Sequence, residues 1–542
     1  ASNNTAVGAY ALTANTTGAN NTAVGYLSLD ANTTGDNNIG IGNNALTAST
    51  TGSNSVAIGY NALSSVTTGQ QNVAVGHASL KDNTASNNTA LGYYALNATT
   101  TGGQNTAVGR KALIVNTTGE DNTAFGSNSL ESNTTGSTNT AIGKSALGAN
   151  STGIRNTALG ALALDANTTA SYNVAVGRDA LGQNTTGEKN TAIGTYALDT
   201  HTTGDNNTAV GYAALFASTL GDRNTAVGTN ALKTQTTPDD NTAIGFEAML
   251  STTTGTDNTA VGKDAMYYNT TGSRNVAVGE DCLQAVTTGD DNVAIGTDAA
   301  FNITTAARNT SVGKDSLRAC TTGANNVAVG FYALGTNTTS HDNVAVGTNA
   351  LDSCTGAENT AVGNLAGDSV TSGEGNCFIG NQAGRTQVST EDNNLYIARS
   401  NAAHANASVW IYGNSSGSCY QGDNSSSWST TSDKRLKKNI VDNTKGLAEI
   451  NQLRVTNFEY RNEEEIDMSE FPLADEPNQV VLGKGNEGIH TGVIAQEIET
   501  VLPECIKISK KGAKTVNTDP IMWALVNAVK ELSAKVAALE AA

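Results

Sequence analysis

The sequence predicts a mainly β chain: a parallel β-roll or β-solenoid of about 23 coils with a 17-residue period, followed by a small α+β domain ending in a coiled-coil-like helix. Three observations predict it. A phrase typified by "NTAVGYLSLDANTTGDN" at residues 21–37 recurs through residue 384, each copy alternates bulky and small residues over a few positions, and the composition changes at residue 432.

Aligned on the glycine that follows Val, Ile or Leu, the copies fall at Gly8, Gly25, Gly42, Gly59, Gly76 and Gly92, and onward to Gly347, Gly363 and Gly380. The step is 17 residues, shortened to 16 at two places, and the consensus is N-T-A-V-G-x-x-A-L-x-x-N-T-T-G-x-x. Before the glycine, bulky residues flank a small one, the period-2 pattern of a strand with two unlike faces. The central place is Ala, with Gly40, Ser311 and Phe378 as exceptions. A second apolar pair, such as Ala11-Leu12 or Ala248-Met249, follows in each copy. A coil this short has no room for a helix, a strand and their turns, so two short strands per coil are expected, with T-T-G and N-x-x as turns. Coils stacked about 4.8 Å apart give a rod of roughly 110 Å. The uniformly small Ala face has two explanations: close approach of neighbouring chains, which is preferred here, or a narrow coil interior.

Composition narrows the function. Only 38% of the 542 residues are hydrophobic and 5% aromatic, which argues against a conventional large core. The net charge of −19 opposes nucleic-acid binding through phosphates. No run of 18 apolar residues predicts a membrane-spanning helix, so no membrane insertion is expected. The start at Ala1 suggests a fragment or processed product. Cys282, Cys320, Cys354, Cys377, Cys419 and Cys505 lack metal-ligand spacing and read as small buried hydrophobes with free thiols; no metal and no cofactor are expected. Adjacent threonines point to opposite faces, so T-T-G reads as a turn rather than a flat hydroxyl array. Paired carboxylates at matching repeat positions are absent, which disfavours an enzyme acting on an external polysaccharide.

The repeat resembles the "NSVAIG"-type motifs of trimeric autotransporter adhesin heads, with "NSVAIG" itself at 54–59 and the resemblance extending over 1–384. It implies left-handed parallel β-rolls assembled as trimers; the period here is longer than is usual in those heads.

Residues 385–431, with "LYIA" and "VWIYG" between Ser, Gly and Asn-rich stretches, are expected to form a short β linker or neck. Residues 432–542 hold four of the five prolines and carry a net charge of −4 against −15 for the rest, marking a separate domain. This domain opens with "SDKRLKKNI" and continues with "FEYR" at 458–461, "TGVIAQEIETVLPE" at 491–504 and "ALVNAVKEL" at 524–532. These stretches resemble the intramolecular chaperone (peptidase S74) domain of phage endosialidases and tail fibres. Its opening pattern S-D-x-R-x-K-x-x-I is met by Ser432, Asp433, Arg435, Lys437 and Ile440, and Gly492, Ala495 and Gln496 fall in a further family-like stretch. Where the family usually has a V-x-Y segment, this chain has "KTVNTDP".

The resemblance implies a domain that trimerises, aligns the preceding stalk and then cuts itself off between Thr431 and Ser432 with a Ser432–Lys437 dyad. Such a lysine acts as base only if desolvation or a neighbouring cation keeps its amine neutral, a role open to Arg435 and Lys438. Positions i and i+5 lie about 140° apart on a helix, so either Ser432 precedes the helix or the amine comes from another chain. The alternative is Ser432-Asp433 as a helix N-cap with no cleavage. Near the C-terminus Asp519-Pro520 reads as an N-cap and first helical residue. Met522, Leu525, Val529, Leu532, Val536 and Leu539 then step three and four apart, an a/d seam expected to pack a trimer rather than a single-chain core.

Near-identical parallel coils slip register at little cost, and a C-terminal trimeriser removes that hazard. The expected function is a homotrimeric fibre or spike, most simply a phage tail fibre in the virion, binding a host cell-surface receptor or glycan. The alternative is a bacterial surface adhesin or extracellular filament built from the same modules.

Overall fold

The computed structural model describes residues 2–385, 390–399, 409–417, 419–421, 440–461, 463–471, 489–509 and 512–542. The chain divides into two compact units, Ala1–Ser427 and Trp428–Ala542.

The first unit is a parallel β-solenoid of about 23 turns. Each coil contributes one three-residue strand, from β1 (Thr5–Val7) and β2 (Thr22–Val24) to β23 (Cys377–Ile379). Neighbouring coils pair in parallel and in repeat register: Thr5 opposes Thr22, Ala6 opposes Ala23 and Val7 opposes Val24. The two short coils keep this register, Val73 opposing Thr89 and Val344 opposing Thr360. A residue is lost from the turn, not from the strand.

The expectation of a second strand per coil is corrected. The Ala-Leu pair lies in a turn in which the position two after the glycine and the leucine both adopt left-handed backbone, as at Asn44 (φ 58°) and Leu46 (φ 54°). Alternating handedness prevents an extended run. Axial pairing continues nonetheless, with Leu46 N–H donating to the Ala62 carbonyl at 3.0 Å. A left-handed leucine costs roughly 1–2 kcal/mol. Full burial of its side chain, as for Leu46, Leu63 and Leu80, contributes about 1.5–3 kcal/mol and offsets that.

The preferred account of the Ala face is corrected too. Strand-centre alanines such as Ala57, Ala74 and Ala90 are fully buried inside their own coil, against the turn leucines. The coil interior is narrow, and chain-to-chain contact does not run along this face. Exceptions to Ala are matched locally: Ser311 Oγ lies 2.6 Å from Ser316 Oγ, so two buried hydroxyls satisfy each other.

Two asparagine columns line the interior. Asn156 Oδ1 accepts from the Asn173 N–H at 2.9 Å, and its Nδ2 donates to the Ala170 carbonyl at 2.8 Å. Asn133 Nδ2 donates to Asn116 Oδ1 at 2.9 Å in the second column. In most coils the first threonine of T-T-G donates to the backbone one coil on, as Thr33 does to the Thr50 carbonyl at 3.0 Å. These hydroxyls hold turns together.

At the C-terminal end β24 (Leu395–Ala398) adds in parallel to β23, then β25 (Val409–Gly413) and β26 (Cys419–Gln421) add antiparallel. Phe378, Tyr396 and Tyr412 stack there, with centroids 5.9 and 6.4 Å apart. The described strands of 385–431 therefore prolong the solenoid sheet. Three thiols inside the coils are held protonated by burial, Cys282 pushed up to about 12 and Cys320 and Cys354 to about 11. The expectation that every cysteine is buried fails for Cys419, which is exposed, and for half-buried Cys377.

The second unit contains α1 (Leu447–Ile450), β27 (Thr456–Phe458), β28 (His490–Gly492), α2 (Ala495–Val501), β29 (Ile506–Ile508), β30 (Lys514–Val516) and α3 (Thr518–Glu540). β27 pairs antiparallel with β28, and β29 with β30. A small core of Ile498, Leu502 and Cys505 gathers Leu453, Val493, Val516 and Ile521. No described helix is long and apolar enough to cross a membrane.

Candidate functional site

Thr431, Ser432, Asp433, Arg435 and Lys437 lie outside the described residues. Of the opening pattern, Ile440 is described and is 59% exposed.

The remaining candidates form one local arrangement. β27 places Thr456 opposite Gly492 and Phe458 opposite His490, so the "FEYR" and "TGVIAQ" stretches meet as an antiparallel pair. Gly492 sits under the Phe458 ring, where an added Cβ would come within 3.3 Å of Cε1. His490 packs near Tyr460 and Phe458, with ring centroids 5.0 and 6.1 Å away. The chain then turns into α2, which starts at half-buried Ala495 and exposed Gln496. Arg454 Nε donates to Glu497 Oε2 at 3.1 Å and holds that carboxyl below the usual carboxylate range, tying the segment before β27 to the first turn of α2. Lys514 of β30 pairs with Glu499 on the same helix.

The start of α3 differs from expectation. Asn517 is the N-cap, its side chain accepting from the Asp519 N–H, and Asp519 and Pro520 lie within the first turn. Proline is tolerated there because first-turn N–H groups have no intrahelical partner. Ala524 and Ala528 are the buried residues of α3. Asn527 Nδ2 donates to the Asn443 and Lys445 carbonyls at 2.9 and 3.0 Å, and Glu531 accepts from the Leu447 N–H at 3.3 Å. The helix therefore docks on the chain around α1 through a small, polar face. Its a/d seam is left outside: Met522, Leu525, Val529, Leu532, Val536 and Leu539 are 51, 50, 58, 52, 46 and 78% exposed.

A second apolar surface runs along the solenoid. The last strand residue points away from the coil interior, as at Leu91 (48% exposed), Phe125 (55%), Leu159 (44%) and Ile193 (40%). Sequence reasoning saw this bulky face but did not assign it to contact. It also missed the Arg454–Glu497 tie, whose partners are 43 residues apart, and His201, visible only as the break in the N-T-T column at "DTHTTG".

Together these features define a repetitive parallel β-solenoid joined in one chain to a small α+β domain. Residues 432–507 match the family model described as chaperone of endosialidase, Peptidase_S74, so the second unit contains that intramolecular chaperone domain. The match begins at Ser432 and ends in β29, leaving β30 and α3 beyond it. No curated protein and no solved structure matches the chain.

Proposed function

We propose that the chain is the shaft of a homotrimeric fibre, a phage tail fibre carried on the virion for attachment to a host-surface receptor, and that its C-terminal domain aligns three chains and then cleaves itself away. One observation carries this reading: in one chain, the chaperone match at residues 432–507 follows a solenoid whose repeats pair in strict register. A chain of near-identical coils is degenerate to a one-coil slip, and a register-setting domain at one end removes that degeneracy.

Two surfaces left unburied in a single chain support assembly, the strand-face row of Val, Ile, Leu and Phe and the a/d seam of α3. Extended apolar surfaces of this kind are usually covered by a partner, and a second copy supplies the same row in the same spacing. Cleavage would proceed by attack of Ser432 Oγ on the Thr431 carbonyl carbon, with the Lys437 amine taking the hydroxyl proton and passing it to the departing Ser432 nitrogen. Water would then hydrolyse the resulting ester, giving a Thr431 carboxylate and a fragment beginning at Ser432.

The test combines light scattering with denaturing gels on the full chain. A trimer mass and a fragment starting at Ser432 are expected, with Ser432→Ala and Lys437→Ala remaining full length and Lys438→Ala still cut. A monomer in solution refutes the fibre reading, and cleavage of Ser432→Ala at the wild-type rate refutes the dyad.

A further inference from the structure

One side of the solenoid carries a cleft that the repeat itself does not require. It has a volume of about 360 Å³ and is lined by Tyr196, Asp199, Tyr212, Ala213, Phe216 and Lys233. Asp199, Phe216 and Lys233 occupy the same repeat position in three successive coils, and Tyr196 and Ala213 share another position in two of them. Tyr196 meets Tyr212 and Phe216 edge to face, with centroids 6.0 and 6.4 Å away. Ala213 carries only a methyl where other coils have larger side chains such as Asn44, Asn230 or Glu247, so the space beside Tyr196 stays open. Tyr212 is 52% exposed.

Three rings thus form a wall with a carboxylate on one side and an ammonium on the other. Two coil steps separate Asp199 from Lys233, about 10 Å along the axis or roughly the length of a disaccharide. Asp199 and Lys233 both line the cleft and form no salt bridge with each other. Asp199 is half-buried, and desolvation raises its pKa, with Asp179 adding to the effect.

We infer that this cleft binds a neutral pyranose of a glycan. Aromatic faces pack on the C–H face of a sugar ring, the Asp199 carboxylate accepts from hydroxyls, and the Lys233 ammonium donates to a hydroxyl or ring oxygen. The acidic surroundings of Asp179 and Asp199, on a shaft of net charge −15 over residues 1–431, select against sialic and uronic acids. The inference rests on the attachment reading above for its biological setting, but the cleft lies wholly within one chain and its chemistry does not need the trimer.

The experiment uses the full chain in saturation-transfer NMR with methyl pyranosides of glucose, galactose and mannose, and with N-acetylneuraminic and glucuronic acids as anionic comparators. Saturation transfer to a neutral pyranoside is expected, with Tyr212→Ala and Phe216→Ala each raising Kd about tenfold. Ala213→Asn places in the cleft a residue that other coils carry at this position, a left-handed one where Asn230 sits with φ 57°. That variant should keep the wild-type circular dichroism and lose binding. Absence of binding to any neutral pyranoside, preference for the acids, or unchanged binding in Ala213→Asn overturns the inference. So does a fall in assembly mass on Ala213→Asn, which would identify the cleft as a contact between copies. Light scattering on the same samples separates the two proposals: a trimer that binds no sugar leaves the fibre standing and removes only the cleft.

Discussion

Phe378 allows the packing logic of the solenoid to be measured. In most coils the strand centre is Ala and the turn supplies Leu or Met; at the last coil Phe378 replaces the alanine, while Gly367 and Gly384 stand at the leucine position. The ring is fully buried. A Cβ on Gly384 would lie 2.2 Å from Phe378 Cδ1, and one on Gly367 would lie 2.8 Å from Cδ2. Backbone conformation is not the obstacle, since φ is 61° and 71° at these glycines and repeat leucines adopt similar values, 54° at Leu46. The ring excludes the side chains. Phe378→Ala should therefore cost about 3–5 kcal/mol through the cavity it leaves. Gly384→Leu alone should cost about 1–3 kcal/mol through overpacking, and Phe378→Ala with Gly367→Leu and Gly384→Leu should return to within about 1.5 kcal/mol of wild type. Because solenoid stability is largely nearest-neighbour, the assay is amide hydrogen exchange over residues 361–397, with coupling taken from the mutant cycle. A triple variant no more stable than the sum of its parts, or a Gly384→Leu variant as protected as wild type, refutes the volume exchange.

Three further outcomes follow from the same structure. His201 is buried, its Nε2 donating to the Gly204 carbonyl at 2.7 Å, and burial lowers its pKa against the opposing influence of Asp205 and Asp222. The unfolded chain protonates first, so stability is full above about pH 6.5 and declines as pH falls toward the depressed folded-state value; exchange protection of residues 198–221 should show this slope and His201→Asn should abolish it. Asn156→Ala strands the Asn173 N–H inside the coil and should cost about 1–3 kcal/mol by denaturant unfolding. Val529→Asp, on the exposed seam of α3, should leave helicity by circular dichroism unchanged but shift light scattering from trimer to monomer; an unchanged mass removes the seam from assembly.

The repeat made the solenoid legible in the amino-acid sequence, because twenty-three copies display which positions share one environment. The chaperone domain was legible for a different reason: its motifs stand in order from Ser432, and the family match starts at the same residue. Sidedness was not legible. Period-2 alternation shows that Ala and Val point opposite ways along a strand, but only closure of the coil put Ala57 inside and Ile58 outside. Nor could spacing reveal that the Ala-Leu pair bends instead of extending, since left-handed backbone at Leu46 is sustained by burial of its side chain in the closed coil. The cleft at Tyr196, Tyr212 and Phe216 and the Arg454–Glu497 tie depend on residues brought together by stacking or chain reversal. Periodicity reports local environment, whereas which face is enclosed and which distant groups meet is decided when the backbone closes and leaves one side of each strand without access to water.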